Sequence, residues 1–225
     1  MSLYYQDDLV TLYHGDCLVE TAWLGADVLV TDPPYGMAYR DTAGRSILND
    51  DSTHARDSAL SLWGARPALL FGTWKVDRPS GVKQVLIWDK SEGNGPGGGS
   101  TSPWGQSHEE IYVCGVWPAI EPGGRFREGG KPARSSGVIR AANYNTQAGN
   151  RPDHPTPKPV GLMESLVGKC PGTIVADPFA GSGSTLLAAR NLGRRAIGAE
   201  LEERYCELIA KRLAQQAFNF GEPTK

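Results

Sequence analysis

The stretch from Thr173 to Tyr205, TIVADPFAGSGSTLLAARNLGRRAIGAELEERY, constrains the fold most. An apolar strand-like run ends at Asp177, and a turn with Phe179, Gly181 and Gly183 follows. A helical pattern then starts near Ser184, and a second apolar run ends at Glu200. Glycines in a strand-to-helix turn let the backbone approach a ligand closely, and the helix start favours a negatively charged ligand group. An acid closing the next strand stands about where a doubly wound fold binds ribose hydroxyls.

The turn lacks the G-x-G-x-x-G spacing of dinucleotide sites and carries no basic residue. A nucleoside bearing a carboxylate suits it better than a pyrophosphate, and S-adenosylmethionine is such a ligand. The remaining chain reads as the same architecture. Strand-like runs fall at Leu9–Tyr13, Asp27–Thr31, Ala68–Trp74, Gln84–Trp88, Glu110–Val116, Thr173–Ala176 and Arg195–Ala199. Most are continuous apolar runs, as expected of central strands covered on both faces. Helical patterns occupy Thr53–Trp63, Pro159–Val167, Ser184–Leu192, with Gly193 as its stop, and Glu202–Ala217. Such alternation predicts an α/β fold with a mostly parallel central sheet and helices on both faces.

A second unusual cluster lies in VTDPPYGMAY, where an apolar run stops at Asp32 and is followed by Pro33, Pro34 and Tyr35. By itself it reads as a strand ending in a proline turn. Beside the glycine turn it becomes a candidate site. Together, LYHGDCL (12–18), TDPPYG (31–36), HPTPKP (154–159) and DPFAGSGST (177–185) resemble the amino-group DNA methyltransferases in their permuted, β-type order. IWDK followed by SHEEIYV resembles the strands between, and the likeness runs from about Leu9 to Leu213.

The resemblance implies a Rossmann-like S-adenosylmethionine-dependent methyltransferase fold in a single domain over 1–225. Its catalytic half would span about 9–117, a short target-recognition segment 118–153, and a cofactor-binding half 154–218. Catalytic roles fall on Asp32, Pro33, Pro34 and Tyr35. Asp32 and the Pro33 carbonyl would accept the two N–H groups of an exocyclic amine and localise its lone pair, while Tyr35 stacks on the base. Because the amine is shielded in a duplex, double-stranded DNA would be bound with base flipping. Cofactor contacts fall on Asp16, Asp32, Lys158, Asp177, Phe179, Gly181, Gly183, Ser184, Thr185 and Glu200. Asp16 also reads as a plain turn aspartate, Lys158 as a surface lysine, and His154 as a structural residue. Aspartate at position 32 favours adenine N6 as the acceptor. Cytosine N4 is the first alternative, then an RNA or protein methyltransferase, then a non-catalytic DNA-binding descendant.

Charge supports a DNA partner in one place. Net charge is −2, yet residues 119–160 carry +4, leaving −6 elsewhere. Arg125, Arg127, Lys131, Arg134 and Arg140 lie in the recognition segment and are candidate DNA contacts, to phosphates first. A short recognition site, a homodimer or a partner protein would compensate for so small a segment; whether a restriction partner accompanies the chain stays open. Four scattered cysteines and four histidines show no metal-ligand spacing, so no metal site is expected. The transfer implied by the resemblance needs no covalent enzyme intermediate, so no catalytic cysteine is expected. No apolar run approaches the ~20 residues of a membrane span, and no basic leader precedes one, so a cytoplasmic protein is expected.

Overall fold

The structure, a computed structural model, describes residues 2–41, 44–90, 107–118, 135–144 and 151–219. Among the described residues nine strands form one sheet: β1 (Ser2–Gln6), β2 (Val10–His14), β3 (Val28–Thr31), β4 (Ala68–Gly72), β5 (Val82–Asp89), β6 (His108–Cys114), β7 (Val138–Arg140), β8 (Ile174–Asp177) and β9 (Arg195–Glu200). Four α-helices among the described residues accompany it: α1 (His54–Trp63), α2 (Val160–Val167), α3 (Ser184–Asn191) and α4 (Glu203–Asn219). The strand order is β1-β2-β9-β8-β3-β4-β6-β5-β7. Pairing is parallel from β2 through β9, β8 and β3 to β4, and again between β5 and β7. β1 against β2, and β6 against both β4 and β5, are antiparallel.

All seven strands and four helices expected from the sequence are present, with ends shifted by up to two residues. β3 and β4 are buried at every position, which explains why their apolar runs do not alternate. Successive residues still point to opposite faces. Val28, Val30, Leu69, Phe71 and Val175 pack with α2, α3 and α4, whereas Leu29, Ala68, Leu70 and Ala176 pack with Trp23 and α1. In α4, Tyr205, Ile209 and Leu213 are buried, and Glu203, Arg204, Lys211 and Gln215 are exposed. The φ of +67° at Gly193, just beyond α3, is the left-handed stop expected there.

Two strands escaped the sequence reading. β1 lies at one edge of the sheet and is largely exposed, while β7 is three residues long at the other edge. Neither buries enough apolar surface to leave a pattern, and each is held by backbone pairing. The recognition segment expected at 118–153 therefore contributes one strand to the sheet. The glycine-rich run 93–105 and most of 118–137 lie outside the described residues.

Chain order fixes where a crevice must open. β3 runs on to β4 on one side, and β8 runs on to β9 on the other. Between β3 and β8 the winding reverses, and doubly wound sheets bind ligands beyond the carboxyl ends of strands at such a point.

Candidate active site at the carboxyl edge of the sheet

The carboxyl ends of β2, β9, β8, β3 and β4 deliver Asp16, Glu200, Asp177, Asp32 and Thr73 to one cavity of about 970 Å³. The wall also includes Pro33, Pro34, Tyr35, Lys158, Phe179, Gly181, Ser184 and Thr185. Every expected catalytic residue and every expected cofactor residue except Gly183 thus meets there.

The glycine turn is built against its neighbours. Gly181 (φ +51°) donates its N–H to Glu200 Oε2 at 2.7 Å, and the other Glu200 oxygen accepts from Glu202 N–H at 2.8 Å. A Cβ at Gly181 would stand 3.1 Å from His154 Nε2. Gly183 (φ +76°) faces α4 instead, where a Cβ would lie 2.8 Å from Ile209. Its glycine serves packing of the turn, which is why it is absent from the cavity wall. The Arg212 guanidinium donates to the Ser182 carbonyl and fixes the turn from behind.

Several expected contacts are tied internally. Asp177 is buried and accepts from Phe179 N–H at 3.3 Å and from the Thr31 hydroxyl. Ser184 Oγ donates to the Lys158 carbonyl at 2.6 Å, joining α3 to the HPTPKP segment. Asp16 is exposed at the rim and accepts from Leu18 N–H at 2.9 Å, as a turn aspartate does. His154 Nδ1 accepts from Thr156 N–H, and its ring packs 4.6 Å from Tyr205. Burial and surrounding cations push His154 down to about 3, so it is neutral at ordinary pH. Burial raises Asp177 to about 6 and Glu200 to about 7, against the hydrogen bonds they accept.

The catalytic cluster is more crowded than the sequence suggests. Tyr35 Oη donates to Asp32 Oδ1 at 2.7 Å, and the Lys158 ammonium donates to Asp32 Oδ2. Lys158 is 6% exposed, which overturns the surface-lysine alternative. Its Nζ also stands 3.4 Å from Glu109 Oε2 and 5.0 Å from the centre of the Phe71 ring. Glu109 Oε1 accepts from Lys90. Burial drives Asp32 up from the ordinary carboxylate range; Lys158 opposes this and Glu109 adds to it. Burial would raise Glu109 as well, but the Lys158 and Lys90 ammoniums outweigh it and hold Glu109 below its usual value. For Lys158 the two acids outweigh burial and raise it.

The loop after Tyr35 is clamped by Asp50, which is buried and accepts from the N–H groups of Gly36 (2.7 Å), Tyr39 (2.8 Å) and Ala38. Asp50, Lys90, Glu109 and Tyr205 went unrecognised in the sequence. Glu109 did leave a signal. In EEIYV, two adjacent acids stand in an apolar strand and must face opposite sides. Glu110 pairs with Arg78 at 2.6 Å, and Glu109 with Lys90 and Lys158. The Tyr205 hydroxyl is buried at the cavity wall and has no hydrogen-bond partner among the described residues.

Of the candidate DNA contacts, Arg125, Arg127, Lys131 and Arg134 lie outside the described residues. Arg140 ends β7 with its side chain largely exposed and 3.5 Å from Asp89. All four cysteines are buried, and burial pushes Cys17, closest to Asp16, up to about 12. Among the described residues no three His, Cys, Asp or Glu side chains converge as a metal cage, and no helix is long and apolar enough to cross a membrane.

A glycine turn and an Asp-Pro-Pro-Tyr turn facing one another across the switch point define the class, an amino-group methyltransferase of Rossmann-like fold. The sequence model of the DNA methylase family, the N6/N4 methyltransferases, matches residues 75–212, and the chain belongs to that family. It is 32% identical to YubD of Escherichia coli (strain K12), over 92% of each chain. It is 25% identical to the type II methyltransferase M.ScaI of Streptomyces caespitosus, over 95% of this chain and 84% of that one. Among solved structures, the PvuII cytosine-N4-specific DNA methyltransferase superposes with a TM-score of 0.61 at 16% identity, covering 93% of this chain and 88% of that one. The M1.HpyAVI–SAM complex gives 0.57 at 22%, covering 91% and 100%.

Proposed function

We propose that this chain methylates the exocyclic N6 amine of an adenine turned out of duplex DNA. The observation that carries methyl transfer is the placement of Asp32 and Glu200 in one cavity, at the carboxyl ends of strands on either side of the switch point; aspartate at position 32 is what favours adenine within the family. The relatives named as type II methyltransferases support a DNA substrate.

S-adenosylmethionine is the cofactor, and when bound it supplies a methyl group on a positively charged sulfonium. The residues present fit such a group. Glu200 offers carboxylate lone pairs to ribose hydroxyls, and the Tyr205 hydroxyl, buried at the cavity wall, lacks a partner among the described residues. Asp16 at the cavity rim would be the residue that reaches the cofactor adenine. Asp32 and the Pro33 carbonyl accept the amine N–H groups and localise its lone pair. The Tyr35 ring holds the base, and Asp32, raised by burial, takes the proton the product sheds. Proton acceptance and positioning need no covalent intermediate.

Arg125, Arg127, Lys131, Arg134 and Arg140 grip the phosphates. Replacing Arg125 and Arg127 should weaken DNA binding and flatten its salt dependence. The reading places the protein in the cytoplasm with its DNA. Incubation with labelled S-adenosylmethionine and unmethylated DNA, followed by digestion to nucleosides, tests it. Labelled N6-methyladenine is the expected product. Labelled N4-methylcytosine would replace adenine with cytosine, and no labelled DNA would transfer the activity to RNA or protein.

A further inference from the structure

In the arrangement observed, both oxygens of Asp32 already have donors. Tyr35 holds Oδ1 and the Lys158 ammonium holds Oδ2. An ammonium on a carboxylate drains the lone-pair density that a neutral amine needs, and it hinders uptake of the product's proton. Lys158 is buried, so leaving Asp32 without another acceptor would strand a charge in a poorly solvated site.

One acceptor is in place. Glu109 Oε2 is buried and makes no hydrogen bond among the described residues, although it lies 3.4 Å from Lys158 Nζ. Its twin, Oε1, is anchored by Lys90, which turns the free oxygen toward Lys158. Among the described residues, Asp32 and Glu109 are the acids within ion-pair reach of Lys158, and the rings of Phe71 and Tyr35 flank its ammonium. A displacement of about half an ångström converts the Glu109 contact into a charge-assisted hydrogen bond.

We propose that Glu109 is a positioning residue that draws Lys158 off Asp32 when the target amine arrives. The lysine stays paired throughout, and the Asp32 oxygen it releases becomes available to the amine. This inference rests on the methyltransferase reading and holds for either target base.

The test is Glu109→Gln, measured for kcat, for cofactor affinity by calorimetry, and for its pH–rate profile. The amide cannot hold the ammonium as the carboxylate does, so Lys158 stays on Asp32. Expected is a fall in kcat of about tenfold to a hundredfold, the range of a charge-assisted hydrogen bond at a buried group, with cofactor affinity retained. The groups facing Asp32 are Lys158, Glu109, Tyr35 and, across the switch point, Asp177; Lys90 faces Glu109. Because the Glu109 charge raises Asp32, removing it moves the acid limb to lower pH even as kcat falls. A merely structural role would lower kcat and leave that limb in place.

Carbon-13 titration of the Asp32 carboxyl reads the same shift without turnover. Lys158→Met leaves buried Asp32 without its cation and Glu109 with Lys90 alone. It should move the acid limb upward, and the double variant Lys158→Met/Glu109→Gln should recover activity over Lys158→Met alone. Wild-type turnover in Glu109→Gln, or an unmoved Asp32 titration, overturns the proposal. A wild-type protein that methylates no DNA overturns the DNA-substrate reading instead, and the carboxyl titration then still decides whether Glu109 governs Asp32.

Discussion

The Thr31 hydroxyl donates to Asp177 Oδ1 at 2.6 Å, joining residues 146 apart in the chain. Each closes a central strand, one step before the Asp-Pro-Pro-Tyr turn and at the start of the glycine turn. The two halves of the site are therefore locked where the sheet reverses its winding. Thr31→Val removes the donor and leaves a buried carboxyl with one fewer partner. Stability should fall by about 1–3 kcal/mol in denaturant unfolding. Asp177, already raised to about 6, should climb further.

Asp32→Ala removes the acceptor on which the amine depends. Methyl transfer should fall by about 10²–10⁴-fold, the range of a lost general base. Cofactor affinity, measured by calorimetry, should be largely retained, because the glycine turn and Glu200 lie on the other side of the switch point. Normal turnover in this variant would refute the assigned role.

Glu200 makes cofactor binding and stability respond to pH in opposite directions. Burial raises it from 4.5 to about 7. In that window the folded state holds a proton that the unfolded chain has released. Its contribution to stability is thus present below about 4.5 and is lost as pH rises through about 7. Ribose hydroxyls donate to the ionised form, so affinity for S-adenosylmethionine should increase through the same window. Calorimetric titrations across it, with Glu200→Gln as the flattened control, check both signs.

Tyr205→Phe separates a ligand contact from a packing role. The free protein loses only a hydroxyl that has no partner among the described residues, so its stability should hold or rise. Cofactor affinity should weaken by about two- to tenfold, the worth of one ordinary hydrogen bond. Unchanged affinity would show that the hydroxyl faces no ligand atom.

Local chemistry accounts for what could be read along the chain. Prolines after Asp32, a glycine pair after Asp177 and an acid ending the next apolar run are each set by backbone geometry within a few residues. Continuous apolar runs marked β3, β4 and β8 because both faces of those strands are covered. β1 and β7 sit at the sheet edges and depend on pairing with β2 and β5, so their own residues carry little pattern. Lys158 showed the same dependence: its neighbours in HPTPKP suit a surface loop as well as a site, and only the fold buries it.

The sequence by itself determined the doubly wound architecture, the two facing turns and the family resemblance, because these rest on periodicity and on residues close together in the chain. Tertiary structure alone decided the electrostatics. Asp32, Glu109 and Lys158 come from three separate segments, and Lys90 from a fourth. Their protonation states follow from burial and from distances of a few ångströms that arise when those segments meet. Coulomb energy between buried charges varies steeply over such distances, so the behaviour of the catalytic carboxylate is a property of the folded cavity.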